Sequence, residues 1–164
     1  MRMELTVVPE CYANACFAQK LVDILRAAHG VNPRVIHRRV SGRDRILNIL
    51  KQLPQDNVLV IIDYEVGPAR KYIDENFDLE RVVEGIYVGV FRRSQSVVAV
   101  VFDPRIEEAF ICRYLRERCN DVNWVRRVKS GEACIALVEL FNGEAVAALL
   151  RKVGTAIVER LGGN

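Results

Sequence analysis

The chain carries an unbroken apolar run, Val58-Leu59-Val60-Ile61-Ile62, and a second, shorter one within Leu5-Thr6-Val7-Val8-Pro9. A strand with one wet face alternates apolar and polar residues, whereas a strand covered on both faces reads as a continuous apolar stretch. Both segments are therefore expected to be buried strands of a parallel sheet, which requires helical crossovers between them. In open sheets of this kind, ligands gather outside the carboxyl ends of the strands. The residues that close these two runs are acidic: Glu10 ends the first, and Asp63-Tyr64-Glu65 ends the second.

The rest of the chain supports that class. At 164 residues, 51% hydrophobic and 27% charged, it is long enough for one globular domain with a substantial core and is too apolar for disorder. No apolar run reaches the ~18 residues of a membrane helix. The N-terminus enters a strand pattern directly and shows no signal-peptide features, so the expectation is a cytoplasmic protein without a membrane partner. A net charge of +3, from 24 basic and 21 acidic residues, is too balanced to announce a nucleic-acid protein. Among the bases, 19 are Arg and 5 are Lys. Arginine forks suit phosphate and carboxylate, although a heat-adapted surface gives the same bias.

Along the chain, helical spacing of Phe17, Leu21, Ile24, Leu25 and Ala28 predicts a helix over about 12–29, stopped at Gly30. A more exposed strand is expected over 34–40, then a helix over about 43–53 capped by Ser41. Pro68 is placed to start a short helix, and Asp78 to cap a further turn. Strands are expected at 85–91 and 96–102, a helix over about 104–118 opened by Asp103-Pro104, and two more helices over about 131–141 and 143–161. The reading is a single α/β domain over 1–164. Its sheet is mostly parallel, with four or five strands and helices on both faces, and additional helices form its C-terminal part.

The five cysteines, at 11, 16, 112, 119 and 134, show no CxxC spacing, which argues against structural zinc. Cys112 and Cys119 on one continuous helix would stand about 10 Å apart, too far for a disulfide. Free buried thiols are the expectation, with disulfides reserved for a hyperthermophile source. His29 and His37 have no supporting spacing for a histidine metal or nucleophile site. Neither a P-loop nor a GxGxxG turn is present.

The order strand–Glu10–helix, then strand and helix, then strand–Asp63-x-Glu65 resembles the TOPRIM domain of topoisomerases, bacterial-type primases, recombination mediators and overcoming-lysogenization-type nucleases. Val100-Val101-Phe102-Asp103-Pro104-Arg105-Ile106-Glu107-Glu108-Ala109-Phe110 is similar to a segment of small stand-alone TOPRIM-like proteins of unknown function, with Phe110 where Trp is usual. The resemblance covers about residues 4–115. Cys11 stands where the family commonly has Gly, and Glu65 where it has a second Asp. The resemblance implies a TOPRIM/Rossmann-like fold with Glu10 as general acid or base, and with Asp63 and Glu65 as ligands of Mg²⁺ (or Mn²⁺). Glu108 is a further candidate ligand, from the helix that follows the last strand.

Carboxylates of this kind would hold a hard cation that neutralises charge on a transferring phosphoryl group, and crowding by the other acids would raise the pKa of the acid/base Glu10 towards a usable range. Arg38, Arg39 and Arg43 are candidate substrate contacts for DNA or RNA; with Arg45, Arg92-Arg93 and Arg126-Arg127-Lys129 they would form a phosphate-binding rim if the clusters converge near the acids, and otherwise each decorates a separate solvated surface. The expected function is Mg-dependent phosphoryl transfer or nuclease action on nucleic acid. A non-catalytic nucleic-acid or protein-binding module is the alternative, and a small-molecule phosphatase or nucleotide-binding protein a third reading.

Overall fold

A computed structural model describes residues 2–37, 42–52 and 54–162, with the backbone alone at 42 and 43. The first half alternates strand and helix: β1 (Met3–Pro9), α1 (Tyr12–His29), β2 (Val31–Val35), α2 (Gly42–Lys51), β3 (Val58–Asp63) and α3 (Pro68–Asn76). A meander follows, β4 (Phe77–Val83), β5 (Ile86–Phe91) and β6 (Ser94–Phe102). The sheet has six strands in the order β2-β1-β3-β6-β5-β4. Strands β2, β1, β3 and β6 pair in parallel, and β5 and β4 extend the β6 edge antiparallel.

Side-chain alternation divides the core into two layers. Leu5, Val7, Leu59, Ile61, Val98, Val100 and Phe102 face α1 and the C-terminal helices. Val8, Val58, Val60, Ile62, Val97, Ala99 and Val101 face Ile46 and Leu50 of α2 and Ile73 of α3. All six residues of β3 are buried, as its apolar run requires. At about 25 cal/mol per Å² of apolar surface removed from water, these inner strands anchor the fold.

The sheet has one or two strands more than expected. Phe77–Val83 reads as a capped turn because Asp78, Glu80 and Arg81 punctuate it, but it forms the outer edge strand, where charged outward residues are tolerated and guard against further pairing. At the other edge β2 begins at Val31, three residues before its expected start. Its Pro33 is compatible with an edge position. Part of the segment expected at 34–40, and the Ser41 cap, lie outside the described residues.

The segment after β6 also differs. No continuous helix spans 104–118: a π turn (Glu107–Ile111) leads into the three-residue α4 (Cys112–Tyr114), and the chain leaves helical geometry at Leu115 (φ −125°, ψ 52°). A 3₁₀ turn (Arg118–Asn120) follows, then α5 (Val122–Val128), capped by Asp121, whose carboxylate accepts the Asn123 and Trp124 N–H groups. The expected 131–141 helix is split into α6 (Ala133–Ala136) and α7 (Val138–Phe141) before the long α8 (Glu144–Gly162). Trp124, Leu137, Leu140, Val146, Leu150, Val153 and Ile157 belong to the same buried cluster as α1. Among the described residues no helix is long and apolar enough to cross a membrane.

The helix break overturns the expectation of free thiols. Because the chain doubles back after Leu115, the Cα atoms of Cys112 and Cys119 are 5.8 Å apart and the two form a disulfide. Cys16 of α1 and Cys134 of α6 form a second, between residues 118 positions apart, and Cys11 is the free thiol. Closing so long a loop stabilises chiefly by restricting the unfolded chain, by about 4–5 kcal/mol in the chain-entropy description. Cys134→Ala is therefore expected to lower unfolding free energy by roughly that amount. Non-reducing peptide mapping should recover the Cys16–Cys134 and Cys112–Cys119 pairs and one alkylatable cysteine after denaturation.

Candidate functional site: an acidic cluster at the strand ends

Parallel pairing brings the carboxyl ends of β1, β3 and β6 side by side. Pro9 is in register with Ile61, and Asp63 with Phe102. The ladder continues one residue further, where the Glu10 N–H donates to the Ile61 carbonyl at 2.9 Å. The Glu10 side chain then turns back over β3, and its Oε1 accepts the Asp63 N–H at 3.1 Å. Asp63 Oδ1 in turn accepts the Ile106 N–H from the turn after β6, at 2.9 Å. The two acids that close the apolar runs therefore meet, and they are only 9% and 7% exposed.

Cys11 caps α1. Its Sγ accepts the Asn14 N–H at 3.5 Å, and its φ of −134° is ordinary extended backbone that needs no glycine. Burial pushes the Cys11 thiol up to about 12, with the charges of Asp63, Glu10 and Glu107 adding to the shift. The raised carboxyl pKa is found at Asp63, an acid other than the one for which it is expected. Burial first, then the Glu10 carboxylate, push it up to about 8; Glu107 and Glu65 add, and the Ile106 N–H opposes.

The other expected ligands are placed differently. Strand β3 ends at Asp63, so Glu65 lies beyond the alternation that would put both on one face. It is 38% exposed, and the Arg105 guanidinium approaches its carboxylate at 3.7 Å. Glu108 is held by the same Arg105, through Nε to Oε2 at 3.1 Å and Nη2 to Oε1. The acid of this turn whose charge acts on both Asp63 and Cys11 is Glu107. Helical spacing contains that signal: Glu107 lies three residues before the buried Phe110 and four before the buried Ile111.

Of the expected substrate contacts, Arg38 and Arg39 lie outside the described residues, and Arg43 is described only as backbone in the first turn of α2. His37 packs edge-on against Tyr12, with ring centroids 5.2 Å apart, and burial followed by the Arg45 charge lowers its pKa. His37 and Arg45 therefore stand near the start of α1, on the side of the sheet end where Glu10 emerges. A cavity of about 240 Å³ adjoins the cluster, lined by Arg105, Glu107, Glu108, the Cys112–Cys119 pair and Trp124. A larger one, about 640 Å³, lies at the opposite, amino ends of β1 and β2 and touches neither Glu10, Asp63, Glu65 nor Glu107.

As placed, no three His, Cys, Asp or Glu side chains among the described residues are arranged to hold a metal ion. The donor chemistry nevertheless fits a hard divalent cation, which takes carboxylate oxygens. Glu107 Oε2 is buried and makes no hydrogen bond among the described residues, so acceptor capacity is left over at the cluster.

Compared with known proteins, the chain matches no family model, no curated protein and no solved structure.

The raised Asp63 pKa makes stability depend on pH. Below the unfolded value near 3.8 the carboxyl is protonated in both states; between there and about 8 only the unfolded chain ionises, so stability falls as pH rises through that window. Asp63→Asn keeps an acceptor for the Ile106 N–H and removes the titration. In chelator-treated protein, denaturant unfolding should show the variant about 1–3 kcal/mol more stable than the parent near pH 8, the range for a buried polar group incompletely compensated. The two proteins should converge near pH 4. A constant offset across pH would contradict the assignment.

Proposed function

We propose that this chain is a phosphoryl-transfer protein acting on nucleic acid, with Mg²⁺ or Mn²⁺ held at the carboxyl ends of β1 and β3 and phosphodiester cleavage of DNA or RNA as its chemistry. One observation carries the reading: the Glu10 carboxylate is brought across 53 residues of chain to accept the Asp63 backbone N–H at 3.1 Å, at the end of a parallel sheet where ligands gather. Buried carboxylates cost free energy that a purely structural contact does not require, and acids with displaced pKa values concentrate where chemistry is done. The TOPRIM resemblance is consistent with this position.

In this reading Asp63 is the principal ligand and Glu65 the second. The cation supplies charge neutralisation on the transferring phosphoryl group. Glu10 moves the proton, as general base towards the attacking group or general acid towards the leaving oxygen. Arg38, Arg39 and Arg43 contribute the phosphate contacts, since guanidinium forks suit phosphate oxygens.

A second reading, a nucleic-acid or protein-binding module without catalysis, is favoured by Arg105. It lies 3.7 Å from Glu65 and also holds Glu108, so two acids near the site already have a cationic partner. Calorimetric titration with Mg²⁺ and Mn²⁺ separates the two readings. The catalytic one predicts one ion per chain, and a loss in Asp63→Asn exceeding the about 10–100-fold typical of groups behind the ligands. Glu10→Gln should cleave a phosphodiester substrate about 10²–10⁴ times more slowly. Salt-sensitive nucleic-acid binding by a chain that takes up no cation would favour the binding module. Cation affinity unchanged in Asp63→Asn would remove the site.

A further inference from the structure

Residues from three neighbouring strands line a further cavity at the same sheet end, on the face covered by α3. Tyr64 continues β3, and its N–H donates to the Phe102 carbonyl of β6 at 2.8 Å. Asp103 continues β6, and its N–H donates to the Gly85 carbonyl, just before β5, at 2.8 Å. Tyr87 of β5 is in register with Val101 of β6. With Arg70 and Asp74 of α3 and the start of β4, these residues line about 320 Å³, within the range of small-molecule sites.

The polar groups of this cavity are not used on one another. Arg70 and Asp74 are four residues apart on α3, the spacing at which opposite charges on a helix pair, yet no ion pair joins them among the described residues. The Arg70 guanidinium lies instead over the Tyr64 ring, 4.1 Å from its centroid. Asp103 is half-buried and has neither an ion pair nor a side-chain hydrogen bond among the described residues. Tyr87, also half-buried, has no ring or guanidinium stacked on it among them. A ring, a stacked guanidinium and a carboxylate therefore line one space with their binding capacity unused.

Each of these groups selects a partner. Aromatic rings and guanidinium planes stack on unpaired nucleobases. A guanidinium donates to base carbonyls, whereas an ionised carboxylate only accepts. Guanine meets all three demands: it is flat, carries a carbonyl for Arg70, and presents two adjacent donors, N1–H and its 2-amino group, to the two oxygens of Asp103. Adenine and cytosine set an acceptor beside their amino group, and uracil and thymine have no amino group. We propose that this cavity binds a guanine base, stacked on Tyr87 and read by Arg70 and Asp103. The cavity needs no cation, but that the base belongs to a strand rests on the nucleic-acid reading above. Tyr64 is bonded directly to Asp63, so a strand seated by a guanine here would have its adjoining phosphates at the sheet end that carries the acids.

The test uses the full chain with chelator present and GMP as probe, read by calorimetry. One GMP per chain is expected, with AMP, CMP and UMP at least about 5-fold weaker. Tyr87→Ala and Asp103→Asn should each weaken GMP binding about 5–150-fold, the loss for one stacked base or one paired base contact. Tyr87→Phe keeps the ring and should bind as the parent does. Should Tyr87→Ala fail to fold, the near-isosteric Asp103→Asn carries the test. A single-stranded oligothymidylate with one central guanine identifies the source of the base. A strand is the ligand if this oligomer binds more tightly than GMP and than oligothymidylate alone, and a free nucleotide is the ligand if GMP binds more tightly. GMP bound no better than AMP, or bound unchanged by Asp103→Asn, overturns the inference, as does failure of both GMP and the guanine oligomer to bind. Oligomers bound equally with and without guanine also overturn it, while leaving the nucleic-acid reading in place.

Discussion

The parallel pairing of β1 with β3 is the constraint on which the rest of the structure depends. It places two apolar strands in the middle of the sheet, and its register carries the ladder past Pro9 so that the Glu10 N–H reaches the Ile61 carbonyl. From there the side chain has one short path, back over the end of β3, to the Asp63 N–H. A slip of a single residue would turn every β1 side chain to the other face, exchanging Val7 and Val8 between layers and carrying Glu10 away from Asp63. Core packing and site assembly are thus one specification. The hydrophobic free energy that fixes the register also holds the carboxylates together against their repulsion.

Three of the charges that act on Asp63 are acidic. Glu10, Glu107 and Glu65 all act on Asp63, while the Arg105 guanidinium lies against Glu65 and Glu108. Burial and these neighbouring acids favour the neutral form, which pushes the Asp63 carboxyl up to about 8. The sheet nevertheless holds these acids close together. Loops alone could not hold them. Here the acids are mounted on strand ends, a disulfide ties α1 to α6, and the turn after β6 donates the Ile106 N–H to Asp63.

What could be read from the chain follows from how local each signal is. The inner strands and α1 announce themselves, because a doubly covered strand and an amphipathic helix write their burial directly into residue order. The position of Glu10 and Asp63 follows from those strands. Edge strand β4 could not be read, since its one-sided burial leaves Asp78, Glu80 and Arg81 free to imitate a turn. Choosing between Glu107 and Glu108 required the exact phase of the turn after β6, which a π geometry shifts. The disulfides were hidden for a related reason: a seven-residue separation on a helix forbids what the break at Leu115 permits.

Arg105 adds a further consequence. Its guanidinium spans Glu65 and Glu108 at the mouth of the cluster, and both of those acids are about two-fifths exposed, so the contact is screened and worth little in stability. A cation taken up by Asp63 and Glu65 would compete directly with Arg105 for Glu65. Release of that guanidinium would cost little and would leave a planar, doubly donating group beside the newly bound ion, where a phosphate oxygen would arrive. The same weak contact that gives Glu65 a partner in the ion-free protein is therefore suited to being exchanged. The deeper acids, fixed by backbone hydrogen bonds, are not.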